Sequence, residues 1–137
     1  MTINNKGDLM KMLILTFAAL LPIPSMAQNV SSVTKEVRIG INSVYVPDAL
    51  IADAEAYVVI SGVFQNGCYS WSRAEVSHKD PFTHTVSMFA NVSQGMCIMA
   101  LIPFQKEIRL GKLERGKHHI RFENGDGTSL ERAIKIE

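Results

Sequence analysis

From Val37 onward apolar and polar residues alternate with a period of two, the spacing of strands whose side chains point to opposite faces. Val37, Ile39 and Ile41 alternate with Arg38, Gly40 and Asn42, after which Val44 and Val46 take the opposite phase. A bulge or a change of sheet near Asn42-Ser43 accounts for such a slip. Pro47 to Asp53 reads as a connection with room for one helical turn. Ala54 to Phe64 is apolar on both parities, which predicts a central strand covered on both faces.

Ala74, Val76 and His78, then His84, Val86, Met88, Ala90 and Val92, flank the loop Lys79 to Thr83 and predict a hairpin. Met96 to Ile102 is wholly apolar and predicts a buried strand ended by Pro103. Ile108 and Leu110, and then His118, Ile120 and Phe122, predict two more strands around the turn Glu114-Arg115-Gly116. Asn124-Gly125-Asp126-Gly127 is a tight-turn signal before Leu130, Ile134 and Ile136. The fold expectation is an all-β protein: an antiparallel immunoglobulin-like or fibronectin-like β-sandwich of seven or eight strands, with a small barrel as the alternative.

The N-terminal segment breaks this pattern. Lys11 precedes the apolar run Met12 to Leu21, followed by Pro22-Ile23-Pro24 and the small-residue stretch Ser25-Met26-Ala27. A basic residue, a short apolar run and small residues two apart make a secretory signal cut after Ala27, so no transmembrane anchor is expected after cleavage. Met10-Lys11-Met12 opens such a signal more cleanly than Met1, and translation from Met10 is a second expectation. The expected organisation is a signal peptide at 1–27, a flexible leader at 28–35 and one domain at 36–137.

Composition narrows the partners. The chain has 137 residues, 47% hydrophobic and 20% charged, an ordinary globular mixture. Without Lys6, Asp8 and Lys11 the rest carries 12 basic and 12 acidic residues. A balance near zero argues against bulk capture of nucleic acid or of anionic membrane. Cys68 and Cys97 are the two cysteines, and in an exported chain they are expected to pair as a staple worth ~3.5 kcal/mol. Without a C-x-x-C motif, a redox role is disfavoured.

Candidate chemistry is sparse. Met96 and Met99 stand on opposite strand parities, as do His118 and His119, and His84 and Met88 lie ~13 Å apart along a strand, so none of these pairs shares an ion. His78 and His84 flank one loop and can meet, which makes a copper or zinc site the alternative reading. Hydrolase motifs and cofactor fingerprints are absent, so neither an enzyme nor a cofactor is expected. Asn124 to Thr128 lacks the spaced acidic ligands of a calcium loop. Lys106, Arg109, Lys112, Arg115, Lys117 and Arg121 make a basic segment read as the solvated face of a hairpin or as a rim for an anionic polymer. Tyr69 and Trp71 share a parity beside Cys68, suited either to packing on the bridge or to a contact patch.

Gly67-Cys68-Tyr69, Gly95-Met96-Cys97, Ile102-Pro103-Phe104, Leu110-Gly111-Lys112-Leu113 and Gly116 together resemble small exported bacterial proteins of immunoglobulin-like type. The resemblance implies a bacterial envelope setting, periplasmic or secreted, and a Cys68–Cys97 bridge. The chain departs from immunoglobulin domains proper, whose core Trp follows the first Cys at a greater distance than Trp71 follows Cys68. The functional expectation is a non-catalytic binding or structural module that contacts another envelope protein or a surface polymer. Tyr69 and Trp71 would supply the contact, with Lys106, Arg109, Lys117 and Arg121 as its basic rim. A periplasmic metal-handling protein using His78 and His84 is the second expectation, and a small secreted enzyme the third.

Overall fold

A computed structural model describes residues 33–137, and the expected signal peptide lies outside the described residues. Eight strands follow in order: β1 (Thr34–Ile39), β2 (Ser43–Tyr45), β3 (Glu55–Phe64), β4 (Tyr69–Asp80), β5 (Thr83–Ser93), β6 (Ile102–Lys112), β7 (Gly116–Glu123) and β8 (Ser129–Ile136). They form a β-sandwich, and no helix occurs among the described residues. The larger sheet is built around β5. One edge of β5 pairs with β4, and the other is shared by β1, opposite Met88 to Ser93, and β7, opposite Thr83 to Ser87, with β8 outside β7. The smaller sheet is β2-β3-β6.

The phase slip after Ile41 is a change of sheet. β1 ends at Ile39 in the larger sheet, and β2 starts at Ser43 in the smaller one, so one apolar phase serves each sheet. The crossing is tight where the ends of β1 and β7 meet. Asn124 Oδ1 accepts from the Ile41 N–H at 3.1 Å. A Cβ at Gly125 would overlap the Arg38 carbonyl oxygen, so only glycine fits there.

Ile39, Ala56, Val58, Ile60, Phe64, Val86, Met88, Ala90, Ile108, Leu110, Ile120, Phe122, Ile134 and Ile136 fill the space between the sheets. Each belongs to an inward parity, so the burial alternates as the sequence did.

Several expectations change. β3 is covered on one face only: Tyr57 and Val63 on its other parity are exposed, because no third layer packs there among the described residues. Met96 to Leu101 is an exposed connection rather than a buried strand, and Pro103 is the second residue of β6 rather than the end of a strand. The chain must step from one sheet to the other between β5 and β6, a gap of about 10 Å, and a strand cannot pair while crossing it. β6 and β7 likewise belong to different sheets, so Lys106 to Arg121 is a crossover and not a hairpin face. β7 joins β5 in parallel, so the sandwich is not purely antiparallel. The connection before β3 contains Asp53 at φ 67° and no helical turn. Thr34 and Lys35, expected in a flexible leader, pair with Ser93 and Val92 in β1.

Candidate functional sites

Two ends of the sandwich carry unusual groups. At the first, Cys68 and Cys97 are joined, with Cα atoms 5.2 Å apart. The bridge ties the β3–β4 corner to the β5–β6 connection, so it links two places where the chain changes sheet. Asn66 Oδ1 accepts from the Cys68 N–H at 2.9 Å, and the Gly67 N–H donates to the Ile98 carbonyl at 2.8 Å. The connection is thereby held by its middle. Its apolar side chains stay outside: Met96, Ile98, Met99 and Leu101 are 75 to 104% exposed. From Gln94 to Gln105, and from Ala56 to Ser72 beneath it, no residue is charged.

Tyr69 and Trp71, read from sequence as a possible contact patch beside the bridge, turn inward and pack against the core, half-buried. Tyr69 stacks on Phe64 with ring centres 5.9 Å apart, and Trp71 lies tilted on Phe104 at the same distance. Lys106 Nζ stands 6.0 Å from the Trp71 ring centre. Arg109 is exposed on β6 and paired with Glu107 and Glu55 at 3.4 and 3.6 Å. Lys117 and Arg121 lie on β7, in the other sheet. The expected basic rim is therefore split between two sheets. The apolar loop, which sequence reasoning placed inside, is the exposed surface at this end.

The opposite end holds three histidines in a row. His78 and His84 are direct partners across the β4–β5 hairpin, and their Nδ1 atoms lie 2.6 Å apart. Alternation predicted this meeting. It did not predict the third member. His118 shares the inward parity of Ile120 and Phe122, and the parallel β5–β7 pairing sets it diagonally beside His84. His84 Nε2 lies 2.8 Å from His118 Nδ1, and His118 Nε2 lies 2.7 Å from the Glu114 carbonyl oxygen in the β6–β7 turn. His84 and His118 are 1% and 0% exposed, whereas His78 is exposed.

Local structure holds the row in place. Asp80 Oδ1 accepts from the Phe82 N–H at 2.8 Å and closes the hairpin tip, and the Phe82 carbonyl accepts from the His119 N–H at 2.8 Å. The Phe82 ring lies over His118 with centres 5.0 Å apart. Gly116, at φ +137°, gives that ring room, since a Cβ there would sit 3.1 Å from Phe82 Cε1.

A carbonyl oxygen can only accept, which orders the protons. His118 must donate through Nε2, so its Nδ1 accepts from His84 Nε2–H. His84 Nδ1 in turn accepts from His78 Nδ1–H. His78 Nε2 is left facing solvent. Burial pushes the His84 imidazole below the usual histidine range, and the neighbouring His78 and His118 push it the same way against a small opposing pull from Asp80.

Both His84 nitrogens are thus engaged, on opposite sides of its ring, so the three imidazoles cannot converge on one ion. Among the described residues no group of three or more His, Cys, Asp or Glu side chains is arranged to hold a metal. Because the row ends on a carbonyl, it cannot hand a proton onward either. Its chemistry is that of a closed, satisfied network: among the described residues no buried side-chain nitrogen or oxygen lacks a partner.

A cleft of about 530 Å³ lies beside Val37–Asn42, Val63–Gln65 and Asn124–Asp126. Its amide Asn124 is already spent on Ile41 and on Thr128 Oγ1, and Asp126 on Thr128. Among the described residues no helix is long and apolar enough to cross a membrane.

No curated protein and no solved structure matches this chain. The family model described as the ORF11 beta-sandwich domain matches residues 58–132, from within β3 into β8, a span that holds the disulfide, the exposed loop and all three histidines. With more than half of its length so matched, the chain belongs to the ORF11 beta-sandwich domain family.

Proposed function

We propose that this protein is a non-catalytic binding module of the bacterial cell envelope, exported through its N-terminal signal, which grips an apolar surface of another envelope protein with the loop Gly95–Leu101. The observation that carries the reading is the exposure of Met96, Ile98, Met99 and Leu101 on a connection pinned by a disulfide and by the Gly67–Ile98 hydrogen bond. Monomeric domains seldom display adjoining large apolar groups without a use for them. Covering each contributes roughly 1.5 to 3 kcal/mol, so four together exceed the lower bound of the association cost, about 4 kcal/mol. The bridge reduces the ordering cost further, because the loop is held before contact. A disulfide also suits an oxidising compartment, in keeping with export.

Crosslinking in the native envelope tests the reading. A photoreactive group at position 99 should capture one specific protein, and Met99→Ser with Leu101→Ser should lose it while the fold and the bridge persist. Capture that survives the double substitution, or turnover of a small substrate by the isolated protein, would refute it.

A further inference from the structure

We infer that the row His78–His84–His118 is an acid-released clasp, which holds the β4–β5 hairpin tip, β7 and the β6–β7 turn together while it carries at most one positive charge and lets this end of the sandwich open when it takes a second proton. The number of hydrogen positions limits the charge that the row can hold. The contacts His78 Nδ1 to His84 Nδ1, His84 Nε2 to His118 Nδ1, and His118 Nε2 to the Glu114 carbonyl each accommodate one hydrogen. The exposed His78 Nε2 accommodates one more. Four hydrogens on three imidazoles make a single positive charge, the most the closed row can carry. A second proton sets two N–H groups face to face and breaks a link.

The surroundings offer little relief. From β4 come His78 itself and Asp80, whose carboxylate is engaged with the Phe82 N–H. The β6–β7 turn supplies the Glu114 carbonyl, while its charged side chains, Glu114 and Arg115, are exposed, and β8 sets apolar Ile134 opposite His118. The hairpin tip contributes the Phe82 ring. In the unfolded chain all three histidines charge near pH 6.5, so folding excludes up to two protons in mild acid. Burial already disfavours charge on His84.

Urea unfolding of the purified oxidised protein from pH 7.5 to 5, with chelator present, together with nitrogen NMR of the imidazoles, tests the clasp. At pH 7.5 His84 and His118 should both carry their hydrogen on Nε2. Below about pH 5.5 the unfolding constant should rise by nearly a hundredfold per pH unit, two protons' worth. His78→Gln should reduce this to about tenfold, since the Gln amide accepts from His84 and lets the shorter row take one charge. His84→Gln should likewise reduce it to about tenfold, because a single Gln amide oxygen lets only one of the two flanking imidazoles hold a second hydrogen, and exposed His119→Gln should leave it unchanged. Should His84→Gln fail to fold, the wild-type tautomers and the His78→Gln slope still decide. An Nδ1–H tautomer at His84, constant stability across this range, or an acid response unchanged in His78→Gln would overturn the inference. So would zinc or copper raising the melting temperature through His78 and His84.

Discussion

The two ends of the sandwich solve one problem by opposite means. Each must hold together segments that cross or join sheets. At the loop end a covalent bond does this, and the apolar side chains of the connection stay outside. At the histidine end two buried imidazoles and an exposed third are joined in a hydrogen-bonded row. A disulfide acts chiefly by restricting the unfolded chain and is indifferent to pH in this range, whereas a largely buried row of imidazoles stabilises only up to a limited charge. The contrast teaches that exposed apolar surface can be retained where a covalent tie makes burial unnecessary, while buried polar groups make stability conditional on solution chemistry.

The sharpest break of this comparison is removal of the covalent tie. Cys68→Ser with Cys97→Ser should lower stability by about 3 to 4 kcal/mol in urea unfolding while leaving the pH dependence intact. Thiol labelling of the denatured, unreduced wild type should find no free thiol.

Next in size is His118→Ala, which opens space in the core and orphans the His84 Nε2–H. It should cost about 2 to 3 kcal/mol at pH 7.5, and a loss under 0.5 kcal/mol would mean that the row holds nothing.

Acidification comes third. The His84 pKa lies below its unfolded value near 6.5, so the unfolded chain binds the extra proton. Stability is therefore full above about pH 6.5 and falls as pH drops through that value towards the folded pKa. Each proton that the fold excludes removes at most about 1 kcal/mol between pH 6.5 and 5.5 and at most about 1.4 kcal/mol per unit below that, read as a lowered urea midpoint. Asp80, Asp126 and Glu36, whose carboxylates their hydrogen bonds hold below the usual range, lose their contribution only in stronger acid, nearer pH 4.

The smallest effect belongs to the loop. Met99→Ser with Leu101→Ser should shift stability by less than about 0.5 kcal/mol, because these side chains make little contact within the fold. A larger loss would show that the loop is part of the core after all and would erase the difference between the ends.

Alternation alone identified the strand cores and the His78–His84 meeting, because parity is a local property and a hairpin brings near neighbours together. The partner of that pair was half legible: His118 shares the parity of buried Ile120 and Phe122, a sign that it faces inward. Its contact with His84 was not, since it depends on a parallel pairing between residues more than thirty positions apart.

The run Met96 to Ile102 misled for a different reason. Hydrophobicity states what a segment gains by burial and not whether the topology offers it a place, and here the step between sheets does not. Tyr69, Trp71 and the basic segment show the same boundary. Their chemistry was visible, but which sheet each strand joins decided that the aromatics turn inward and that Lys106 and Arg109 part from Lys117 and Arg121. The sequence by itself determined the all-β class, the inward residues of most strands and the two cysteines available to pair, all set by period and composition. Only the tertiary structure decided which loops lie together, and therefore where the histidine row and the exposed apolar loop are, because those positions depend on long-range pairings that no local pattern encodes.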